Sequence, residues 1–125
     1  MATTLRSSSD QSLSDRITAA PAQELVAMLL EGARGFTTQA VSAIQRQDQE
    51  GKAHLVNRVG AIIEQLVVML NFEEGGEVVG NLARVYEWWL QELLAASEAN
   101  DAERLLHVAR QMEGLGESWQ ELGVA

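Results

Sequence analysis

Apolar residues return at spacings of three and four along four separate stretches of this chain, a recurrence that allows little besides helices packed on one another. From Pro21 to about Gln47 the line is Leu25, Leu29, Ala33, Phe36, Ala40 and Ile44. After the polar break RQDQEG it resumes as Leu55, Val59, Ile62, Leu66 and Leu70, and it should stop before Gly75-Gly76. A third stretch, about Glu77 to Ala99, turns Val78, Leu82, Val85, Trp89 and Leu93 inward. The fourth carries Leu105, Val108, Met112, Leu115, Trp119 and Leu122 behind a capping pair, Asn100 and Glu103. Strand-like alternation is nearly absent. Four such helices with short connectors predict an all-α, antiparallel up-and-down four-helix bundle over residues 21–125. Pro21, the only proline, suits a first helical turn, where its missing N–H has no intrahelical partner to lose. Residues 1–20 are rich in Ser, Thr, Asp and Gln with few apolar points, too few to offset the entropy of ordering, and are expected to form a flexible N-terminal tail.

Composition narrows what such a bundle does. At 125 residues and 46% hydrophobic content the chain suffices for one core and is too short for two. Eighteen acidic against nine basic residues give a formal charge of −9, which repels nucleic-acid phosphates and anionic membranes. The absence of cysteine removes disulfides, zinc-thiolate sites and thiol nucleophiles. Glu64, Gln65, Glu87, Gln91 and Glu92 interrupt every apolar run before it reaches the roughly 20 residues of a membrane span, so no membrane insertion is expected. The first residues lack the pattern of a secretory signal, and a cytoplasmic location is expected.

The apolar faces differ in width. The second helix adds Ile63, Val67 and Val68 to its line, and the third adds Val79, Tyr86, Leu90 and Leu94, whereas the fourth keeps a narrow seam. Central helices can absorb such width internally; the other reading is a groove that receives another polypeptide. Trp88 and Trp89 sharpen this choice. Neighbours on a helix point about 100° apart, so the two indoles cannot share the middle of one buried stripe. Trp88 falls with Asn81, Arg84 and Glu92 on the polar side and should be partly exposed, as interface anchors are.

Catalytic patterns are weak. Glu50 with His54 and Glu103 with His107 are each four apart, a spacing that fits helical charge pairing better than the Glu-x-x-His of di-metal bundles. Gly75-Gly76 lacks the Lys-Ser/Thr of a phosphate loop, and Glu73, Glu74 and Glu77 suit a helix start. Ser118 has no adjacent base. No enzyme, cofactor or metal site is expected.

An ordered set of short motifs spans the same region: Thr18-Ala19-Ala20-Pro21-Ala22-Gln23-Glu24-Leu25, Met28-Leu29-Leu30-Glu31-Gly32-Ala33, Leu70-Asn71-Phe72-Glu73-Glu74-Gly75-Gly76-Glu77, Asn81-Leu82-Ala83-Arg84-Val85-Tyr86-Glu87-Trp88-Trp89, and Trp119. Their order and spacing resemble the FliS family of flagellar secretion chaperones. Leu30 and Trp88 stand where the family pattern has Tyr, and Ala20 where it has Ser. The resemblance implies stoichiometric binding of the disordered C-terminal segment of flagellin in apolar surface grooves, which prevents premature polymerisation, with the flagellar export gate as a further partner. Together with the apolar width it nominates Leu30, Ile63, Val67, Tyr86 and Trp88 for the client groove, and Asn81 as an amide for the client backbone. Phe36, Leu66, Leu82, Trp89, Met112 and Trp119 are assigned to the core. Leu13 and Ile17 are expected to fold over the groove and compete with client. A helical adaptor or chaperone for a different secretion substrate or for a regulator, a small helical enzyme or metal-binding bundle, and a weak homodimer through the same grooves remain as alternatives.

Overall fold

A computed structural model of the chain describes residues 22–70 and 76–124. Four helices follow in order: α1 (Ala22–Gln45), α2 (Gln49–Val68), α3 (Gly76–Glu98) and α4 (Ala102–Val124). Each packs against its two ring neighbours, α1 on α2 and α4, α3 on the other sides of α2 and α4, with no diagonal contact among the described residues. The connectors from α1 to α2 and from α3 to α4 are three residues each, too short for anything but antiparallel neighbours.

Both short connectors use one device. At the end of α1, the Asp48 N–H donates to Ala43 O (2.8 Å) and the Gln47 N–H to Ile44 O (3.0 Å). At the end of α3, the Asp101 N–H donates to Ala96 O (2.8 Å) and the Asn100 N–H to Ser97 O (3.1 Å). Gln47 and Asn100 take positive φ, 61° and 53°, the left-handed turn that lets a helix close on its own last carbonyls. The next residue then starts the following helix: Asp48 Oδ1 accepts from the Gly51 N–H at 2.9 Å and Asp101 Oδ1 from the Arg104 N–H at 3.2 Å. Asp101 therefore caps α4. The expected cap, Asn100, instead terminates α3, because its short amide side chain tolerates positive φ.

Lys52 ties the two connectors together. Its Nζ donates to Ser97 O (2.7 Å) and Asn100 Oδ1 (2.7 Å) at the carboxyl end of α3 and to Gln49 Oε1 (2.9 Å) at the start of α2, so all three ammonium protons are satisfied. A lysine only 7% exposed is tolerated because the helix terminus offers carbonyl charge where a carboxylate is absent.

The core holds Leu30, Ile63, Leu66, Tyr86, Trp89, Leu93, Leu105 and Met112, each at 1% exposure or less. Full burial of each such side chain contributes about 1.5–3 kcal/mol before entropy is counted. Tyr86 and Trp89 lie 5.6 Å apart at 45° and fill the space between α3 and the other helices. The buried Thr37 hydroxyl returns a 2.7 Å hydrogen bond to Ala33 O.

The stripes are rotated from those expected. On α2 the buried line is Lys52, Val56, Val59, Ile63 and Leu66, with Leu55, Ile62 and Leu70 only partly covered. On α3 it is Val79, Tyr86, Trp89, Leu93 and Ala96, while Val78 and Val85 face solvent at 66% and 38% exposure. Among the residues assigned to the core, Leu66, Trp89 and Met112 are fully buried, whereas Phe36, Leu82 and Trp119 pack against it from partly covered positions. The N-terminal tail, with Leu13 and Ile17, and the turn at 71–75 lie outside the described residues.

Candidate functional site

The structure corrects the expected surface position of three nominated groove residues. Leu30 and Ile63 are 0% exposed and Tyr86 is 1% exposed. Leu30 lies beneath α4, where a Cβ placed on Gly116 would come within 3.8 Å of its own Cβ. Ile63 and Tyr86 belong to the lines that α2 and α3 turn toward their neighbours, so the rotation of each helix places them in the core. Burial also pushes the Tyr86 phenol above its ordinary pKa. Val67 is half-buried, and Asn81 and Trp88 stand on the surface.

Asn81 and Trp88 meet in a shallow cleft of about 460 Å³ between α3 and α4, walled by Asn81, Arg84, Val85, Trp88, His107 and Gln111. Trp88 is 41% exposed and meets His107 edge-on, with ring centroids 6.2 Å apart at 88°. The polar wall is chained to the core. The buried Trp89 indole N–H donates to Gln111 Oε1 at 2.8 Å, which fixes the orientation of that amide. Its NH₂ group therefore faces His107 Nε2 at 3.2 Å and must donate to it, placing the neutral imidazole's proton on Nδ1. On the facing helix, Arg84 donates to Asn81 Oδ1. Below the cleft, Arg104 holds Glu92 in a two-pronged pair at 2.6 and 3.0 Å, a charge-assisted bond that keeps the Glu92 carboxyl below its ordinary pKa.

A family model for "Flagellar protein FliS" matches residues 5–125. The chain belongs to the FliS family. It is 36% identical to the flagellar secretion chaperone FliS of Campylobacter jejuni over 80% of this chain and 78% of that protein. It is 27% identical to the flagellar secretion chaperone FliS of Salmonella typhimurium, covering 89% and 83% of the two chains. With the flagellar secretion chaperone FliSB of Pseudomonas aeruginosa the identity is 30% over 86% of each. The FliS relatives are thus named as secretion chaperones, and the work expected of the fold is protein binding.

In this FliS-family bundle the outward residues of α3 form a second periodic line. Val78, Asn81, Val85 and Trp88 recur at three, four and three, on the flank of α3 that carries the cleft. The sequence pattern contains this line, but its two valines also fit the spacing of Leu82 and Trp89, which points them to the core. Exposed apolar residues also occur at Val68 on α2 and Leu94 on α3, at 75% and 61% exposure. A second depression of about 450 Å³ lies between α1 and α4, walled by Glu31, Arg34, Glu113 and Glu117 around Ala27 and Met112. Glu31 and Arg34 pair there, lowering the carboxyl and raising the guanidinium. With its apolar floor already buried in the core, that depression offers a guest little surface to cover. No group of three His, Cys, Asp or Glu residues placed to hold a metal occurs among the described residues.

Proposed function

We propose that this chain is a cytoplasmic flagellar secretion chaperone that holds the C-terminal segment of flagellin on the outer face of α3, keeps it from polymerising, and presents it to the export gate. It acts by stoichiometric binding and not by catalysis. The observation that carries this reading is the outward line Val78, Asn81, Val85 and Trp88, because a helix-spaced apolar stripe left on the surface of a finished bundle suits an incoming amphipathic helix. Val67, with the exposed Val68 next to it on α2, offers apolar surface for a second part of the client. Leu30, Ile63 and Tyr86 then act from beneath, as the packing that fixes how α2 and α3 present these surfaces. No described helix is long and apolar enough to cross a membrane, in keeping with a chaperone that works in the aqueous phase.

Ordering an unstructured client consumes about 2–5 kcal/mol or more of the contact energy, which leaves a wide interface releasable at the export gate. The test is a pull-down with full-length flagellin and with flagellin lacking its C-terminal segment. Capture of the first and loss of the second are expected; equal capture of both refutes the assignment. Leu13 and Ile17 are proposed to compete for the same line, so deleting residues 1–17 should tighten or speed client binding. An unchanged on-rate and affinity removes the tail from the scheme.

A further inference from the structure

The cleft between α3 and α4 engages each of its own side-chain acceptors. Asn81 Oδ1 is taken by Arg84, Gln111 Oε1 by the Trp89 indole, and His107 Nε2 by the Gln111 amide. The groups with no partner of their own among the described residues are donors: the remaining Arg84 N–H groups, the Asn81 NH₂ and the Nδ1–H of His107. No carboxylate lines the cleft, although the chain as a whole carries a formal charge of −9. The other arginine on this flank, Arg104, is occupied by Glu92, whereas Arg84 makes no ion pair among the described residues. A positive, donor-rich notch beside an exposed indole is thus set into a surface that is otherwise acidic.

We propose that this notch selects an acidic anchor: the client segment lays an apolar side chain on Trp88 and, one helical turn away, an Asp or Glu carboxylate on Arg84. Arg84 and Trp88 are four apart, so both lie on one face of α3 and the guest needs the same spacing to reach them. An arginine fork bonds a carboxylate in two places and more strongly than it bonds an amide. The surrounding acidic surface repels that carboxylate from other registers, so a single arginine fixes where and in which direction the segment docks. The inference rests on the secretion-chaperone reading and specifies which feature of the client is recognised.

The experiment uses the full chain and a synthetic peptide of the flagellin C-terminal segment from the same cell. Each Asp and Glu of the peptide is replaced in turn by Asn or Gln, and every peptide is titrated calorimetrically against the wild-type, Arg84→Gln and Arg84→Lys chaperones. One carboxylate is expected to stand out, its amide form binding about fivefold to tenfold more weakly. Arg84→Gln should weaken the unmodified peptide by a similar factor and add nothing against that one amide peptide, and Arg84→Lys should restore part of the preference. Uniform affinity across the peptide set, or a carboxylate preference that survives Arg84→Gln, overturns the proposal. Failure of the unmodified peptide to bind at all overturns the flagellin assignment as well, and is distinguished by the absence of any titration curve.

Discussion

Trp88 and Trp89 are chemically identical neighbours that the fold puts to opposite uses, so replacing each by Ala separates binding from stability. Trp89 is 1% exposed, and its removal leaves a cavity against Tyr86, which should cost about 3–5 kcal/mol. With an unfolding entropy near 2.1 cal/mol/K per residue, a domain of about 100 residues loses about 5 °C per kcal/mol, so Trp89→Ala should lower Tm by about 15–25 °C. Trp88 keeps 41% of its surface in solvent, which for a side chain of about 250 Å² leaves about 100 Å² for a client to cover. At about 25 cal/mol per Å² that area is worth at most about 2.5 kcal/mol, a ceiling of about sixtyfold in affinity. Its loss costs the bundle far less, because the contact with His107 lies at the surface and alanine's better helix propensity returns about half a kcal/mol. A net change of about 1 kcal/mol or less is expected. Thermal melts followed by circular dichroism and calorimetric titration with the flagellin C-terminal segment give both numbers for both variants. A Trp88→Ala variant that melts as low as Trp89→Ala, or that binds the segment with wild-type affinity, refutes the division of roles.

Three further outcomes test the packing that holds the site. Lys52→Met keeps the side chain's bulk and removes its three hydrogen bonds; because the freed acceptors lie near water, a loss of about 1.5–3 kcal/mol is expected rather than the sum of three charged bonds. Asn100→Gly retains the positive-φ turn while deleting one acceptor, so urea denaturation of the single and double variants should show non-additive losses, and strict additivity would disprove the clamp. A Cβ on Gly51 would sit 2.2 Å from Asp48 Oδ2, so Gly51→Ala should displace the cap of α2 and cost about 1 kcal/mol, whereas Gly35→Ala and Gly114→Ala, with nothing within 4 Å, should each stabilise by about 0.5–1 kcal/mol. Opposite signs in the three melting temperatures are the check. Tyr86, the only tyrosine, has its phenol pKa raised by burial, so the folded state holds that proton more tightly than the unfolded chain does. The stability this proton linkage supplies is complete below the unfolded value of about 10 and is lost as pH rises from there through the folded pKa. Tyrosinate absorbance should appear together with unfolding; ionisation within an intact bundle would contradict the burial.

The helical class, the number of helices, the antiparallel ring and the ends of α1, α3 and α4 to within two residues were legible in the sequence, because apolar spacing and connector length are local properties; α2 starts inside the polar break, at Gln49, and ends at Val68, short of the glycine turn. So was the exposure of Trp88, since its neighbour Trp89 had the stronger claim on the interior. The rotation of each helix about its axis was not. Two lines of equal spacing pass through Leu82, Trp89 and Leu93 of α3, one adding Val78 and Val85, the other Val79 and Tyr86. Periodicity alone cannot rank them. Packing against α2 and α4 chose the second, seating Tyr86 against Trp89 and giving the Trp89 indole its acceptor on Gln111. That choice turned Val78 and Val85 outward and drew Tyr86 inside, and the phases of α1 and α2 did the same to Leu30 and Ile63. The burial of Lys52 was equally hidden, because the carbonyl of Ser97 and the amide of Asn100 come to it from another helix end, 45 and 48 residues along the chain. The sequence alone determined how many helices form and how they connect, since each helix encodes its own period. Only the tertiary structure decided which face of α3 was left for a partner, since a helix's phase is set by the neighbours it packs against.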